Sequence, residues 1–312
     1  MQNNINREEL LKKKAKMARK QKIKKNMVAY AIMLPSLLLF AFFVWSPIFT
    51  NLGLSFFSDY SFSEFVGFEN YKYVFEDELF LSALRNTFEY IFWSLVIGFL
   101  VPFLLGFLLS ECFHAKGFFR ICIYVPCMIS GIAVVFLFLN IYGDGSYDIL
   151  NVILKAFGAE ERLWRSDTKI IIPLIVIAMT WRGAGSTSLI YLSNFQQIDT
   201  SYYEAARLDG ASPLQRFLKV TVPQMKSTLM TLFILQIISV FQVFYEPLVL
   251  GETGIGPLAH ASMSLMLLSY QYAFMDFEVA YGAAVSVILT VIILVFTVLY
   301  FIVNKYVNKG EK

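Results

Sequence analysis

Six stretches of this chain are each long and apolar enough to cross a lipid bilayer. A membrane-spanning helix needs about 20 consecutive apolar residues, and runs near that length occur at 28–50, 88–110, 121–142, 170–194, 226–250 and 281–303. Hydrophobic residues make up 57% of the 312 residues, which is more than a soluble domain can hide from water. The sequence therefore predicts an all-α membrane protein with six transmembrane helices.

Lysine and arginine are distributed unequally between the two sides of the predicted membrane domain. With the N-terminus in the cytoplasm, that side carries 19 Lys and Arg residues, ten of them within residues 1–27, and the opposite loops carry six. Cytoplasmic loops of membrane proteins are enriched in these residues, so we expect both termini in the cytoplasm. The predicted organisation is a basic cytoplasmic segment at 1–27, a transmembrane domain at 28–303 and a cytoplasmic tail at 304–312.

The lysine-rich start is predicted to precede an uncleaved first helix. The apolar run that follows it is too long for a cleaved secretory signal, and no small-x-small cleavage site follows cleanly. We expect these lysines to be a solvated anchor beside membrane lipid, in preference to a specific lipid or nucleic-acid site.

Residues 201–223 form a polar segment between the fourth and fifth apolar runs. Ser201 and Glu204 have the spacing of a capping box, which begins a helix. Gly210 can take the left-handed conformation that ends a helix. One face of this short helix would combine charge, an apolar side chain and small residues, at Glu204, Arg207, Leu208 and Ala211.

A second short helix is predicted to follow directly. Ser212 is a favourable N-cap, and Pro213 fits the first helical position. Pro223 predicts a break or kink before the next apolar run. From these local patterns alone, an ordinary capped loop and a docking element for a soluble partner are equally good interpretations.

Polar residues within the fifth apolar run predict a polar path through the membrane. Burying such residues costs free energy unless a partner or a cavity satisfies them. At 100° per helical residue, four of them fall within roughly a third of the helical wheel: Gln236, Ser239, Gln242 and Glu246.

The fourth apolar run contains a second candidate for this path, Trp181-Arg182-Gly183. A planar ring suits stacking on a sugar, and a guanidinium can hydrogen bond to its hydroxyls. The alternative is hydrogen bonding between helices, with Gly183, Ala184 and Gly185 as close-packing positions.

The chain carries no recognisable catalytic or nucleotide-binding motif. It has no Gly-Lys dipeptide, so a phosphate-binding loop ending in G-K-[ST] is excluded. The three cysteines, Cys112, Cys122 and Cys127, and the two histidines, His114 and His260, lack partners at ligand spacing. We therefore predict no catalytic residue, no metal site, no disulfide and no cofactor in this chain.

The polar segment resembles the EAA loop of binding-protein-dependent ABC importer permeases. The matching pattern is Glu204-Ala205-Ala206, three residues, Gly210, nine residues, Val220, one residue, then Val222-Pro223. The flank EAARLDGAS is similar to the version found in sugar importers. Val220 and Val222 replace the usual Ile and Leu, which is a conservative change.

Other elements extend the resemblance over most of residues 28–303, which is nearest to the maltose-type carbohydrate permeases. Ile255 replaces the first glycine of the family's G-G-P turn. The similar elements are F-x-G-x-x-N-Y at 65–71, A-L-x-N-T at 83–87, an F-R and proline pattern at Phe119-Arg120 and Pro126, and the Gly256-Pro257 end of that turn.

The resemblance implies one permease subunit of a bacterial-type inner-membrane importer that moves a sugar or oligosaccharide by alternating access. Its implied partners are a second, homologous permease, an ABC ATPase dimer that uses ATP and Mg²⁺, and an extracytoplasmic solute-binding protein. The implied ATPase-coupling residues are Glu204, Ala205, Ala206, Gly210 and Pro223. The alternatives are a permease for another polar solute, such as a polyol or a glycerophosphodiester, a secondary transporter, or a membrane-embedded enzyme.

Overall fold

The protein is helical throughout the residues that the structure describes. This computed structural model describes residues 17, 26–27, 29–112, 114–250 and 260–307. Within them the only β pairing is an isolated bridge between Phe57 and Phe65. The predicted all-α class is confirmed. Most of the predicted N-terminal segment, the end of the tail and the Gly256-Pro257 turn lie outside the described residues.

The chain divides into two compact units, Met1–Leu54 and Ser55–Lys312. The first unit contributes one long helix, α1 (Ala29–Leu54), which has π-helical hydrogen bonding at Ala41–Trp45. The apolar window of α1 is 0% buried. A helix that is exposed and apolar on all sides requires lipid or another chain to cover it.

The second unit is built from the remaining helices. In the part of the chain that the structure describes, their bounds are α2 (Glu69–Glu76), α3 (Glu78–Glu111), α4 (Lys116–Met128), α5 (Gly131–Ile141), α6 (Ile149–Ala156), α7 (Ile171–Phe195), α8 (Thr200–Leu208), α9 (213–224), α10 (Lys226–Phe241), α11 (Tyr245–Val249), α12 (265–275) and α13 (Val279–Val307).

Among the described residues, four helical segments are long and apolar enough to cross a membrane: Ala29–Leu54, Glu78–Glu111, Lys226–Val249 and Val279–Tyr306. The pair α4 and α5 is bent by 99° and makes a fifth span if the two helices count as one. Helix α7 has 25 residues, which is sufficient length, but polar residues and Arg182 interrupt its apolar surface. The count of six spans stays a prediction.

A large apolar cluster holds the helices of the second unit together. Fully buried side chains come from α3 (Phe80, Tyr90), α7 (Ile172, Ile175) and α10 (Phe241). Residues of α5, α12 and α13 join the same cluster. Since a membrane offers little hydrophobic driving force between helices, this close side-chain packing is what holds the bundle together.

The element at 65–71, which matches the F-x-G-x-x-N-Y pattern, has a structural role in this fold. Gly67 has φ +62°, a conformation that favours glycine. The buried Asn70 side chain donates from Nδ2 to the carbonyl oxygens of Ser55 (3.0 Å) and Phe57 (2.8 Å). The element therefore ties α2 to the segment before it.

The element at 83–87 ties α3 to the segment before α12. Asn86 Nδ2 donates to the carbonyls of His260 (2.6 Å) and Met263 (3.1 Å). Thr87 Oγ1 accepts from the Leu265 amide at 3.0 Å. These bonds satisfy backbone groups that would otherwise be buried without partners.

Candidate functional site

A polar cavity of about 450 Å³ lies between α3, α7, α10 and α11. Six of the seven residues predicted for a substrate path line it, from both the fourth and the fifth apolar runs: Arg182, Gly183, Gln236, Ser239, Gln242 and Glu246. The structure therefore brings together two polar patterns that lie about fifty residues apart in the sequence.

Trp181 is the seventh predicted residue, and the structure places it outside the lining of this cavity. Its ring packs edge-to-face on Phe138, with 5.7 Å between centroids, and 40% of the residue is exposed. Neighbouring residues on a helix point about 100° apart, so Trp181 and Arg182 face different surroundings. No contact supports the predicted stacking of Trp181 on a sugar in this cavity.

The inner wall of the cavity is a hydrogen-bonded cluster that sequence reasoning missed. Gln236 Nε2 donates to Ser94 Oγ, and Thr180 lines the cavity beside them. A Cβ at Gly98 would lie 2.9 Å from Gln236 Nε2 and 3.0 Å from Ser94 Oγ. A side chain at position 98 would therefore displace the ends of these polar side chains from their present positions.

A local signal for this wall exists in the sequence. Ser94 and Gly98 are four residues apart, which places them on one helical face. Residues Ser94–Phe99 are π-helical, and such bulges within α-helices frequently occur at functional sites. Hydropathy predicts only the length of the apolar run 88–110, because one serine and one glycine hardly change its mean hydropathy.

The predicted polar stripe does not follow one continuous helix. Helix α10 ends at Phe241, Gln242 is its C-cap, and α11 begins only at Tyr245. The expected continuous helix is therefore wrong beyond Phe241, although Glu246 still lines the cavity with the other three residues. Glu246 is 7% exposed, within α11.

Arg182 supplies a cation to the same cavity. Its guanidinium lies against Gly131 at the start of α5, where a Cβ would be 3.5 Å from Arg182 Cζ. The buried Nε of Arg182 has no hydrogen-bond partner. Among the described residues, no ion pair within 4.0 Å joins it to Glu246. The cavity thus contains a guanidinium and a carboxyl group that do not neutralise each other directly.

A second cavity, of about 480 Å³, has a different character. It lies between α3, α10 and α13, and its lining is apolar except for the Tyr300 hydroxyl. It offers no set of hydrogen-bonding groups comparable with the first cavity. The polar cavity is therefore the better candidate for a path that a hydrophilic solute takes.

The polar segment folds into α8 and α9, as expected, but α8 starts earlier than the sequence suggests. Its N-cap is Asp199, whose carboxylate accepts from the Ser201 amide at 2.9 Å. This backbone hydrogen bond holds the pKa of Asp199 below its ordinary value. The predicted capping box of Ser201 and Glu204 is wrong, because an aspartate two residues upstream satisfies the same helix start.

The connection from α8 to α9 follows the sequence closely. Gly210 has φ +75°, the left-handed conformation predicted for it. Ser212 caps α9, and Gln215 completes a capping box with it. Residues Phe217–Thr221 are π-helical, and Pro223 is followed by a break at Met225.

Most residues of the EAA pattern in helix α8 are exposed to solvent. Glu204 and Ala205 are exposed, Ala206 is partly buried, and Leu208 is 90% exposed. The other side of α8 is held by the Tyr203 hydroxyl, which lies 2.9 Å from Thr221 Oγ1. An exposed leucine on a rigidly held helix suits docking to another protein.

A third cavity, of about 470 Å³, lies behind α8 and between the ends of α3 and α7. Glu204 and Arg207 contribute to its rim, together with Glu111 and Arg216. The exposed helix therefore carries charges of both signs close to the membrane domain.

An aromatic cluster connects this loop to α3 and α7. Phe103 of α3 packs against Tyr191 of α7, with 5.2 Å between ring centroids, and Phe107 packs against Phe217 of α9 at 5.0 Å. A Cβ at Gly106 would lie 2.8 Å from the Tyr191 Cβ. The two long helices thus touch closely where they pack against α9.

Among the residues that the structure describes, no group of three or more His, Cys, Asp or Glu side chains is placed to hold a metal ion. The thiols of Cys112, Cys122 and Cys127 are all free. Nothing in the described part of the chain therefore contradicts the expectation of a site without a metal.

Comparisons with known proteins agree with these features. The chain is 32% identical over 292 residues to the probable ABC transporter permease protein YurN of Bacillus subtilis (strain 168), covering 91% of this chain and 97% of YurN. It is 31% identical over 273 residues to the lactose transport system permease protein LacF of Rhizobium radiobacter, covering 86% and 90%.

A solved structure shows the same fold. A chain from the crystal structure of a bacterial alginate ABC transporter, in complex with an alginate pentasaccharide-bound periplasmic protein, has a TM-score of 0.79 and 24% identity. The match covers 90% of this chain and 94% of that one. Residues 94–311 match a family described as "Binding-protein-dependent transport system inner membrane component". The chain belongs to this family of inner-membrane transport components.

Proposed function

We propose that this chain is the permease subunit of an ATP-driven importer that moves a sugar or oligosaccharide inward by alternating access. Members of its family are transport subunits, and in such systems the ATPase is a separate chain. The observation that carries the proposal is the arrangement of α3 and α7. Both helices line the polar cavity, and both pack through the aromatic cluster against α9. The exposed helix α8 is joined to α9 by the hydrogen bond between the hydroxyls of Tyr203 and Thr221.

This arrangement supplies a route for mechanical coupling. Gly98 and Phe103 are five residues apart on α3, and Thr187 and Tyr191 are four apart on α7. In each helix the first residue lines the cavity and the second belongs to the aromatic cluster. A shift of α8 that is passed to α9 would therefore displace the cavity walls, because tightly packed helices move as bodies.

The chemistry of the cavity favours a carbohydrate. Side-chain hydroxyls and amides, with one guanidinium and one carboxyl group, offer both donors and acceptors to a molecule with many hydroxyls. The relative LacF is named for lactose, and the structural neighbour was solved with an alginate oligosaccharide. A polyol or a glycerophosphodiester remains the alternative substrate, since each would use some of the same groups.

Three kinds of partner complete the proposed importer. The family depends on a binding protein, and we propose that this protein delivers the sugar from outside the cell. We propose further that an ATPase dimer, using ATP and Mg²⁺, docks on α8, and that a second, homologous permease forms the other half of the path. The exposed charges and Leu208 of α8 support docking of the ATPase dimer. The apolar surface of α1, which no part of this chain buries, leaves room for a second membrane chain.

Proteoliposome transport tests this function. We expect the chain, reconstituted with its partner permease, ATPase and binding protein, to take up labelled oligosaccharide only when ATP and binding protein are present. A non-hydrolysable ATP analogue is the control. Uptake driven by a proton or sodium gradient without ATP would show a secondary transporter. Faster uptake of polyols or glycerophosphodiesters than of oligosaccharides would replace the proposed substrate class.

We propose six membrane spans with both termini and the α8–α9 loop in the cytoplasm, which the lysine and arginine distribution supports. Cysteines at Ser212 and Glu160, placed singly in a chain without its native cysteines, test this orientation. A membrane-impermeant thiol reagent should label Glu160→Cys in intact cells and Ser212→Cys only after permeabilisation. The reverse pattern would invert the topology.

A further inference from the structure

Helix α6 presents an apolar face outward. Ile149, Val152 and Ile153 lie on one side of this short helix at spacings of three and four residues, and they are 48%, 48% and 46% exposed. Ala156 lies on the same face, and Phe157 follows it with 86% exposure. We propose that α6 lies in the interface between bilayer and water, with this face among the lipid acyl chains.

Hydrogen bonds on the opposite face fix the orientation of α6. The Asn151 side chain is 0% exposed. Its Nδ2 donates to the carbonyls of Gly145 (3.1 Å) and Arg162 (3.0 Å), and its Oδ1 accepts from Trp164 Nε1 at 2.9 Å. Rotation of α6 about its own axis would break these hydrogen bonds of Asn151. The apolar face is therefore held outward by the fold.

The location of α6 fits the membrane boundary. Leu150 and Trp164 pack against the large apolar cluster, whose buried members include Tyr142, just after α5, and Ile171, the first residue of α7. Because α5 ends at Ile141 and α7 begins at Ile171, α6 lies in the loop that joins the ends of two apolar segments. The position of α6 at the membrane boundary depends on the six-span topology given under the proposed function.

The composition of the face favours lipid over a protein partner. The exposure of its aliphatic residues equals that of outward residues on the spanning helices, such as Leu104 (50%) and Leu299 (52%). A protein interface carries about one hydrogen bond per 100–200 Å², and these aliphatic side chains offer no donor or acceptor. Acyl chains require none.

Aromatic residues flank α6 on both sides. Tyr147, before the helix, is 95% exposed, and Phe157 lies after it. Tyr and Trp are enriched where membrane meets water, so Tyr147 fits that level, and Phe157 extends the apolar face. The Lys155 ammonium turns away from the apolar face and lies 2.5 Å from a Glu161 carboxylate oxygen. Helix α6 thus has an apolar face that points outward and an inner side that is fixed by Leu150 and the Asn151 hydrogen bonds. An outward apolar face of this kind is what a helix in the interface plane buries among the lipids.

Spin labelling tests the proposal. A nitroxide at Ile153 is introduced into the full-length chain, with Cys112, Cys122 and Cys127 replaced by serine, in nanodiscs and in the assembled complex. We expect collisions with dissolved oxygen to exceed collisions with a water-soluble nickel chelate, as at the lipid-facing control Leu104. Leu163, which is 60% exposed and lies outside the helix, is the aqueous control.

Two outcomes would overturn the proposal. Frequent nickel-chelate collisions at Ile153 would place the face in water, and low collision rates with both reagents in the complex would show that a protein covers it. A label at Ala156, on the same face, repeats the test without relying on one side chain. If a nitroxide at Leu104 also collides frequently with the nickel chelate, the membrane topology itself is wrong. That result separates failure of the topology from failure of the α6 proposal.

Discussion

The substitution Glu204→Lys is expected to leave membrane insertion intact and to uncouple ATP hydrolysis from uptake. Glu204 is exposed on α8, which is joined through Tyr203 and Thr221 to α9, and the aromatic cluster packs α9 against α3 and α7. A carboxylate there can pair with a basic group of the ATPase. Docking would bury that pair, and losing one partner of a buried, hydrogen-bonded charge pair costs about 2–5 kcal/mol, so uptake per complex should fall by roughly 1.5 decades or more.

The measurement is uptake and solute-stimulated ATPase activity in proteoliposomes, normalised to the amount of chain. Glu160→Lys is the matched control, because Glu160 is also exposed and the charge change is the same. That variant should transport at the wild-type rate. Wild-type uptake and stimulated ATPase activity in Glu204→Lys would contradict the coupling role of α8.

The substitutions Gln236→Leu and Arg182→Met are expected to lower uptake per assembled complex by one to two decades each. An unmatched hydrogen-bonding group in a buried site costs about 1–3 kcal/mol. Gln236 also donates to Ser94, so its replacement leaves that hydroxyl without this partner. The buried Nε of Arg182 has no hydrogen-bond partner in the cavity wall. Buried polar groups are normally hydrogen bonded, so this atom is free to bind a solute.

Matched controls separate transport from folding in these variants. Gln197→Leu and Arg85→Met make the same chemical changes at exposed positions outside the polar cavity, and should leave uptake unchanged. Assembly and affinity for the binding protein are measured in parallel. Wild-type rates for both cavity variants would remove these residues from the substrate path, and reduced assembly with a normal rate per complex would assign them to helix packing.

Local sequence patterns were sufficient wherever one segment determines its own conformation. Run length predicted the α1, α3, α10 and α13 spans, because a bilayer of set thickness requires a helix of matching length. Gly210 and Ser212 predicted the turn between α8 and α9, because each supplies a backbone conformation or a hydrogen bond at its own position. The fixed spacing over residues 204–223 indicated the family, because a motif within one short segment can be read without knowing the fold.

The tertiary structure decided what depends on residues far apart in the chain. Ser94, Thr180 and Gln236 come from three helices and meet beside Gly98 in one cavity wall, and no periodicity within one helix contains that information. Trp181 was misplaced because hydropathy does not determine how a helix is rotated about its axis, which neighbouring helices set through packing. The apolar run also concealed the break between α10 and α11 that precedes Glu246. The sequence by itself thus determined the family, the helices and the loop, whereas packing between distant helices determined which polar side chains meet.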